Sequence, residues 1–193
     1  MTYIDGYVVL LPAIPVAAWI LRRRADRRWA LLALLALAHA TAVVVLTLFP
    51  VPIAGQDFWR QTRGISGDNV VPFATIVWQL SNLTWNTVRQ LSGNVLLLTP
   101  LGVYGPALWP ALRDWRRLLV VALAIGAAIE LAQFAGSLTE GFSYRITDVD
   151  DAIMNASGAT AAFAVWRWIE GRRLPAAEVS GGAVESTSWR PRP

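Results

Sequence analysis

The 193-residue chain has no cysteine and no lysine, it has a single histidine, and only 16% of its residues are charged. The absence of cysteine excludes thiol nucleophiles, disulfides and cysteine metal sites. One histidine, His39, is too few for a typical zinc site. Soluble domains average about 25% charged residues. The low charge and the 55% of hydrophobic residues therefore indicate a membrane protein.

All 17 basic residues are arginines. They lie in short runs between apolar segments instead of forming one basic patch. This distribution is typical of membrane topology, and it argues against nucleic acid as a partner.

Five segments approach the roughly 20 apolar residues that a helix needs to span a bilayer. They are residues 4–21, 29–49, 92–111, 118–138 and 151–169. The chain is therefore predicted to be all-α, a polytopic membrane helical bundle with about five transmembrane helices.

The arginine runs predict the orientation of this bundle. Runs at 22–28, at 113–117 and at the end of the fifth segment are each separated by two spans, so one orientation places all three in the cytoplasm. We expect a multi-pass protein of the plasma membrane, with its N-terminus outside and its C-terminus cytoplasmic.

Three regions follow from this pattern. Residues 1–28 form an N-terminal anchor helix and basic loop, and 29–169 form the main membrane domain. Residues 170–193 are predicted to be a disordered cytoplasmic tail, rich in Pro, Gly and Ser. Within the domain, 69–91 has helical apolar spacing with Pro72 at a favourable first position. It is predicted to be an outer interfacial helix or a short re-entrant hairpin.

Several polar residues lie inside or beside the apolar segments. An ionisable group in a bilayer costs roughly 2.5–3.5 kcal/mol on insertion scales, so it needs a partner or a function. Glu130 lies within the fourth segment, with Gln133 on the same helix face. Asn94, near the outer end of the third segment, and His39 are expected to make hydrogen bonds between helices.

The stretch SYRITDVDDAIMNASG (143–158) places acids at the start of the fifth segment. A helix beginning near 147 would align Asp148, Asp151 and Asn155 on one face. Thr147 is its predicted N-cap, and Asp150 would favour the helix dipole. Gly158 begins a small-residue face that allows another helix to approach closely.

We predict that seven of these residues, from the third to the fifth segment, form one outward-facing ligand pocket. They are Asn94, Glu130, Gln133, Arg145, Asp148, Asp151 and Asn155. Arg145 is expected to neutralise the aspartates as an ion pair or to hold an anion. DVDDAIMNASG does not fit an EF-hand, although carboxylates and Asn155 are oxygen ligands suited to Mg²⁺ or Ca²⁺.

Four segments, NVVPF (69–73), NVLLLTPLG (94–102), IELAQ (129–133) and RITDVDDAIMNASG (145–158), resemble the VanZ-like family of small bacterial membrane proteins in order and spacing. The resemblance covers about residues 29–169, and the last segment is its most specific part. The family typically has Phe where this chain has Thr99. It is named for a protein linked to low-level resistance to teicoplanin, a glycopeptide antibiotic with a lipid tail. The resemblance implies a cell-envelope membrane protein and supplies no reaction.

Three functions fit these features. The first is a protein without enzymatic activity or cofactor that binds an amphiphile in the outer leaflet. Its partners would be membrane lipids, lipid-linked envelope molecules or a lipid-tailed antibiotic, and no oligomeric state is indicated. Arg145 would contact an anionic head group, and the carboxylates would contact amines or hydroxyls.

The second is a metal-dependent enzyme acting on a lipid head group, with Asp148 and Asp151 on the metal and Glu130 as acid or base. The third is a scaffold whose motif closes the bundle. The absence of a nucleophile–base pair favours the first function over the second. The shared depth of the polar residues favours both over the third.

Overall fold

A computed structural model describes residues 2–23, 26–53, 68–140 and 146–173, and within these ranges it contains seven α-helices. They are α1 (Leu10–Arg22), α2 (Arg27–Leu48), α3 (Ala74–Ser81), α4 (Trp85–Leu97), α5 (Thr99–Leu108), α6 (Trp115–Glu140) and α7 (Val149–Arg173). Short 3-10 turns lie at Gly6–Val9 and Pro110–Arg113. Two three-residue strands, β1 (Thr2–Ile4) and β2 (Val51–Ile53), pair antiparallel beside this helical structure. The predicted all-α helical membrane bundle is confirmed.

Three stretches are long and apolar enough to cross a membrane. They are Arg27–Leu48, Trp85–Leu108 and Trp115–Leu138, which correspond to α2, to α4 with α5, and to most of α6. Gly6–Arg22 is a shorter apolar helix. The total of five spans and the orientation of the termini stay predictions.

The region 69–91 does not form one continuous helix, and its predicted position as an interfacial helix or a re-entrant hairpin stays a prediction. Helix α3 begins only at Ala74, after Phe73 adopts a left-handed φ of 69°, so Pro72 is not its first residue. The chain breaks again before Thr84, which caps α4 in a capping box with Thr87. The candidate span that corresponds to the predicted segment 92–111 therefore begins at Trp85, earlier than predicted. A polar cap starts its helix, and the helix continues into the apolar segment.

His39 of α2 joins two helices at the break between α4 and α5. Leu101 N donates to Leu98 O at 3.0 Å, and the neighbouring Leu97 carbonyl oxygen lies 2.8 Å from His39 Nε2. A carbonyl only accepts, so Nε2 donates, and Nδ1 of a neutral ring then accepts from the Tyr104 hydroxyl at 2.8 Å. The predicted helix-packing hydrogen bond of His39 is confirmed.

Helix α7 packs against α4, α5 and α6 at very short separations, and each contact has a glycine. A Cβ at Gly158 would lie 1.8 Å from the Val95 carbonyl oxygen of α4. A Cβ at Gly102 of α5 would lie 2.1 Å from the Ala159 carbonyl oxygen, and Gly126 of α6 meets α7 in the same way. The predicted close approach at Gly158 is confirmed, and it holds the start of α7 inside the bundle.

Gly158→Ala should destabilise the protein, because the added methyl group would overlap a backbone oxygen that moves only if a whole helix moves. Overpacking of this kind typically costs about 1–3 kcal/mol. The measurement is the Tm of the detergent-purified protein. Gly93→Ala is the matched control, because a Cβ there meets nothing within 4 Å. An equal Tm for both variants would contradict the close packing.

Candidate functional site

Asp148 begins helix α7. Its Oδ1 accepts a hydrogen bond from the backbone N–H of Asp150 at 2.9 Å, which makes it the N-cap of a helix that starts at Val149. The predicted N-cap, Thr147, is therefore wrong. An ionised carboxylate is a stronger acceptor than a hydroxyl at the positive end of a helix. The Thr147 Oγ1 is left buried with no partner among the described residues.

Asp150 links α7 to α3. Its side chain is fully buried, and its Oδ1 accepts the backbone N–H of Phe73 at 2.5 Å. Its Oδ2 accepts those of Thr75 and Ile76 at 2.8 and 3.1 Å. The first N–H groups of a helix have no partner within the helix. Asp150 supplies one for α3, a role its place in the first turn of α7 did not predict.

Asn69 fixes the chain before α3 to the chain before α7. Its backbone pairs with both sides of Asp148, donating to Thr147 O at 2.9 Å and accepting from Val149 N at 3.0 Å. Its Nδ2 donates to Asp148 Oδ1 at 2.8 Å and to Thr75 Oγ1 at 3.0 Å. Asn69 was not predicted to be a site residue, although it opens the NVVPF segment. Its place in that segment was the available signal.

Carboxylates from α6 and α7 meet at the same place. Glu130 Oε2 accepts the backbone N–H of Asp148 at 2.8 Å, and Glu130 is 7% exposed. Asn94 Nδ2 of α4 donates a short hydrogen bond to Asp151 Oδ1. The predicted interhelical hydrogen bond of Asn94 is confirmed. Together with α3, whose backbone N–H groups donate to Asp150, four helices thus contribute to one polar network of amide donors and carboxylate acceptors.

Two of the predicted site residues have a different outcome. Gln133 lies on the Glu130 side of α6, but its Nε2 donates to the Thr47 carbonyl oxygen of α2 at 2.9 Å, which turns its amide toward α2. Arg145 lies outside the described residues. The predicted ion pair between Arg145 and the aspartates therefore stays a prediction.

Asn155 has a buried oxygen without a donor. Its side chain is 1% exposed, and no described residue donates to its Oδ1. Asn155 lies four residues after Asp151, on the same face of α7. The described residues hold two other buried, unpartnered side-chain atoms, Gln79 Oε1 and Thr147 Oγ1. All three are oxygens, and they lie on α3, on α7 or just before α7.

The cluster of Glu130, Asp148, Asp150 and Asp151 has no arginine partner within the described part of the chain. The ion pair in the described part joins Arg117 Nε and Asp114 Oδ2 at 3.9 Å. Both residues are far from the start of α7 in sequence. No group of three His, Cys, Asp or Glu side chains among the described residues is placed to hold a metal ion. Amide N–H groups are thus the donors that the described protein supplies to these carboxylates.

An apolar cavity of about 380 Å³ lies between α2, α5 and α6, and it is lined by residues other than those of the network. Its lining includes Val43, Leu101, Ala128 and Ile129, and Ile129 directly precedes Glu130. His39, Tyr104 and Thr47 also line it. Their polar atoms are engaged in the hydrogen bonds described above or, for the Thr47 hydroxyl, with Val43 O. The cavity therefore presents a largely apolar surface.

The fold and the site define a helical membrane protein with a buried carboxylate–amide network at the start of one helix. The chain belongs to the VanZ/LLP1 family, whose sequence model matches residues 31–170. The match runs from near the start of α2 to near the end of α7, so it includes every residue of the network. No match to the chain was found among curated proteins or among solved structures.

Asn155→Leu should leave the Tm unchanged or raise it. Leucine has a similar shape, and the change removes a buried acceptor that has no donor. Asn94→Leu is the comparison, because it removes a donor and leaves Asp151 Oδ1 unsatisfied, at a cost of about 1–3 kcal/mol. The two thermal melts are compared in one detergent. A larger loss of Tm for Asn155→Leu than for Asn94→Leu would show that Asn155 has a structural role.

Proposed function

We propose that this VanZ/LLP1 protein binds an amphiphile of the cell envelope, a lipid-linked precursor or a lipid-tailed antibiotic, with its polar head at the start of α7. In this proposal the protein holds the molecule and does not transform it. A contribution to teicoplanin resistance follows, because that antibiotic combines a polar glycopeptide with a lipid tail.

The observation that carries this proposal is the buried, unpartnered Oδ1 of Asn155, on the same face of α7 as Asp151 and four residues after it. A buried polar atom without a partner typically costs about 1–3 kcal/mol. The chain keeps this atom between helices that are packed too closely to rearrange. A ligand-binding function would account for it. A ligand that donates to Asn155 would recover this cost on binding.

The apolar cavity supports an amphiphilic ligand over a water-soluble one. It lies between the three stretches that are apolar enough to cross a membrane, and its lining residue Ile129 is next to Glu130 in the sequence of α6. A head group at the carboxylates would therefore have apolar surface for its tail within a few residues of α6. Burial of such a tail contributes roughly 0.8 kcal/mol per methylene group.

Removal of the Asp151 charge should abolish binding while the fold is kept. The purified chain is melted with teicoplanin and with teicoplanin that lacks its acyl tail. We expect the intact antibiotic to raise the Tm by several degrees, about 1–3 kcal/mol of linked stability, and the tailless form to raise it less. In Asp151→Asn the rise should disappear, because Asn keeps the acceptor for Asn94 and loses the charge.

Asp114→Asn is the matched control, because Asp114 is an exposed carboxylate in the loop before α6. Equal shifts in both variants would contradict the proposal. A rise with Mg²⁺, Mn²⁺ or Ca²⁺ that a chelator reverses and Asp151→Asn abolishes would favour the metal-dependent enzyme instead.

The proposed orientation places the start of α7 outside the cell, where envelope precursors and antibiotics are found. The chain lacks cysteine, so a single introduced thiol reports its side of the membrane. In intact cells, an impermeant maleimide should label Ser81→Cys, at the end of α3, and not Gly171→Cys, near the end of α7. Labelling of Gly171→Cys alone would reverse the orientation.

A further inference from the structure

We infer that the head group recognised at the start of α7 is a primary ammonium. This inference rests on the proposed function and narrows it to one ligand chemistry. It follows from a comparison of the hydrogen-bonding groups that are engaged at the network with those that have no partner among the described residues.

The donors of the network are engaged within the protein. Seven N–H groups donate to its carboxylates, namely Asn69 Nδ2, Asn94 Nδ2 and the backbone N–H groups of Phe73, Thr75, Ile76, Asp148 and Asp150. Asp150 uses both of its oxygens in this way. Its charge is therefore stabilised by the N-terminus of α3, and it needs no ligand.

The acceptors of the network are only partly engaged. Asp148 and Asp151 each use Oδ1, and Glu130 uses Oε2. No described residue donates to the second oxygen of any of these three carboxylates. The Asn155 Oδ1, buried on the same face of α7 as Asp151, also lacks a donor. What the described residues lack here is therefore hydrogen-bond donors and positive charge.

Three ligand chemistries fit this surplus of acceptors poorly. A phosphate or carboxylate head adds acceptors and negative charge, so it is repelled. A hydroxyl donates one proton but leaves the anionic charge uncompensated. A divalent cation needs several oxygen ligands at about 2.0–2.6 Å, and no group of three acidic or histidine side chains in the described ranges is arranged for one.

A primary ammonium supplies what the network lacks. It carries one positive charge and three N–H donors, and it has no acceptor of its own. The free oxygens of Asp151, Glu130 and Asn155 belong to two adjoining helices, α6 and α7. Charge-assisted hydrogen bonds to them would be stronger than in water, because the site lies within the bundle.

The test compares four amphiphiles with the same dodecyl tail, titrated into the full purified chain in an uncharged maltoside detergent. They are dodecylammonium, dodecyltrimethylammonium, dodecanol and dodecyl phosphate, and the readout is the Kd from calorimetry. We expect dodecylammonium to bind at least about tenfold more tightly than any other, since one charge-assisted hydrogen bond is worth about that factor. The trimethyl compound keeps the charge and lacks the N–H groups.

Two variants locate the binding. Asn155→Leu should weaken dodecylammonium binding by about tenfold, because one acceptor is lost. Asp114→Asn should leave it unchanged. Tighter binding of the phosphate would assign the site to an anion, and equal affinity for the trimethyl compound would show that the N–H groups are not recognised. Either result overturns the inference.

The outcomes also separate this inference from the proposed function. Equal affinity for dodecanol and dodecylammonium, both lost in Asp151→Asn, would overturn the ammonium and leave amphiphile binding in place. If no dodecyl compound binds in a way that depends on Asp151, and teicoplanin also fails to raise the Tm of the unmodified chain, both are overturned.

Discussion

The start of helix α7 depends on one constraint: four carboxylates are gathered inside a helical bundle, and each must receive hydrogen bonds there. Asp150 receives three from Phe73 and the first turn of α3, Asp148 receives two, and Glu130 and Asp151 receive one each. Every donor is a backbone or side-chain amide. The path of the chain around α7 follows from this requirement, since α3, α4 and the residue Asn69 are all positioned by their bonds to these acids.

Close packing makes the arrangement rigid. Glycines on α5, α6 and α7 let the helix backbones approach to distances that a methyl group would prevent. In an apolar environment, such contacts replace the hydrophobic effect as the force between helices. The carboxylates therefore cannot separate to lower their repulsion.

The sequence predicted the helical membrane bundle, because long apolar segments and arginine runs carry that signal without reference to neighbours. It also predicted the close approach at Gly158 and the interhelical bonds of His39 and Asn94. A polar residue in an apolar segment has few alternatives to such a bond. The partners of Asp150 and Gln133 were not predictable, since they depend on which backbone amide or carbonyl lies opposite. The position of the break at 82–84 was not predicted, because helical spacing continues across it and the Thr84 cap has more influence than the apolar pattern.

The bond between Asp150 and α3 also sets an order of assembly. Helix α3 leaves the ribosome more than 70 residues ahead of the carboxylate that caps it. Until α7 is synthesised, the Asp150 carboxylate is absent, and water or lipid head groups must accept the hydrogen bonds of the first amides of α3. The interior backbone groups of α2, in contrast, find their partners within that helix as soon as it is made. The polar network can form only after α7 has been synthesised, and a nascent chain that has not yet delivered α7 carries α3 without the carboxylate that caps it.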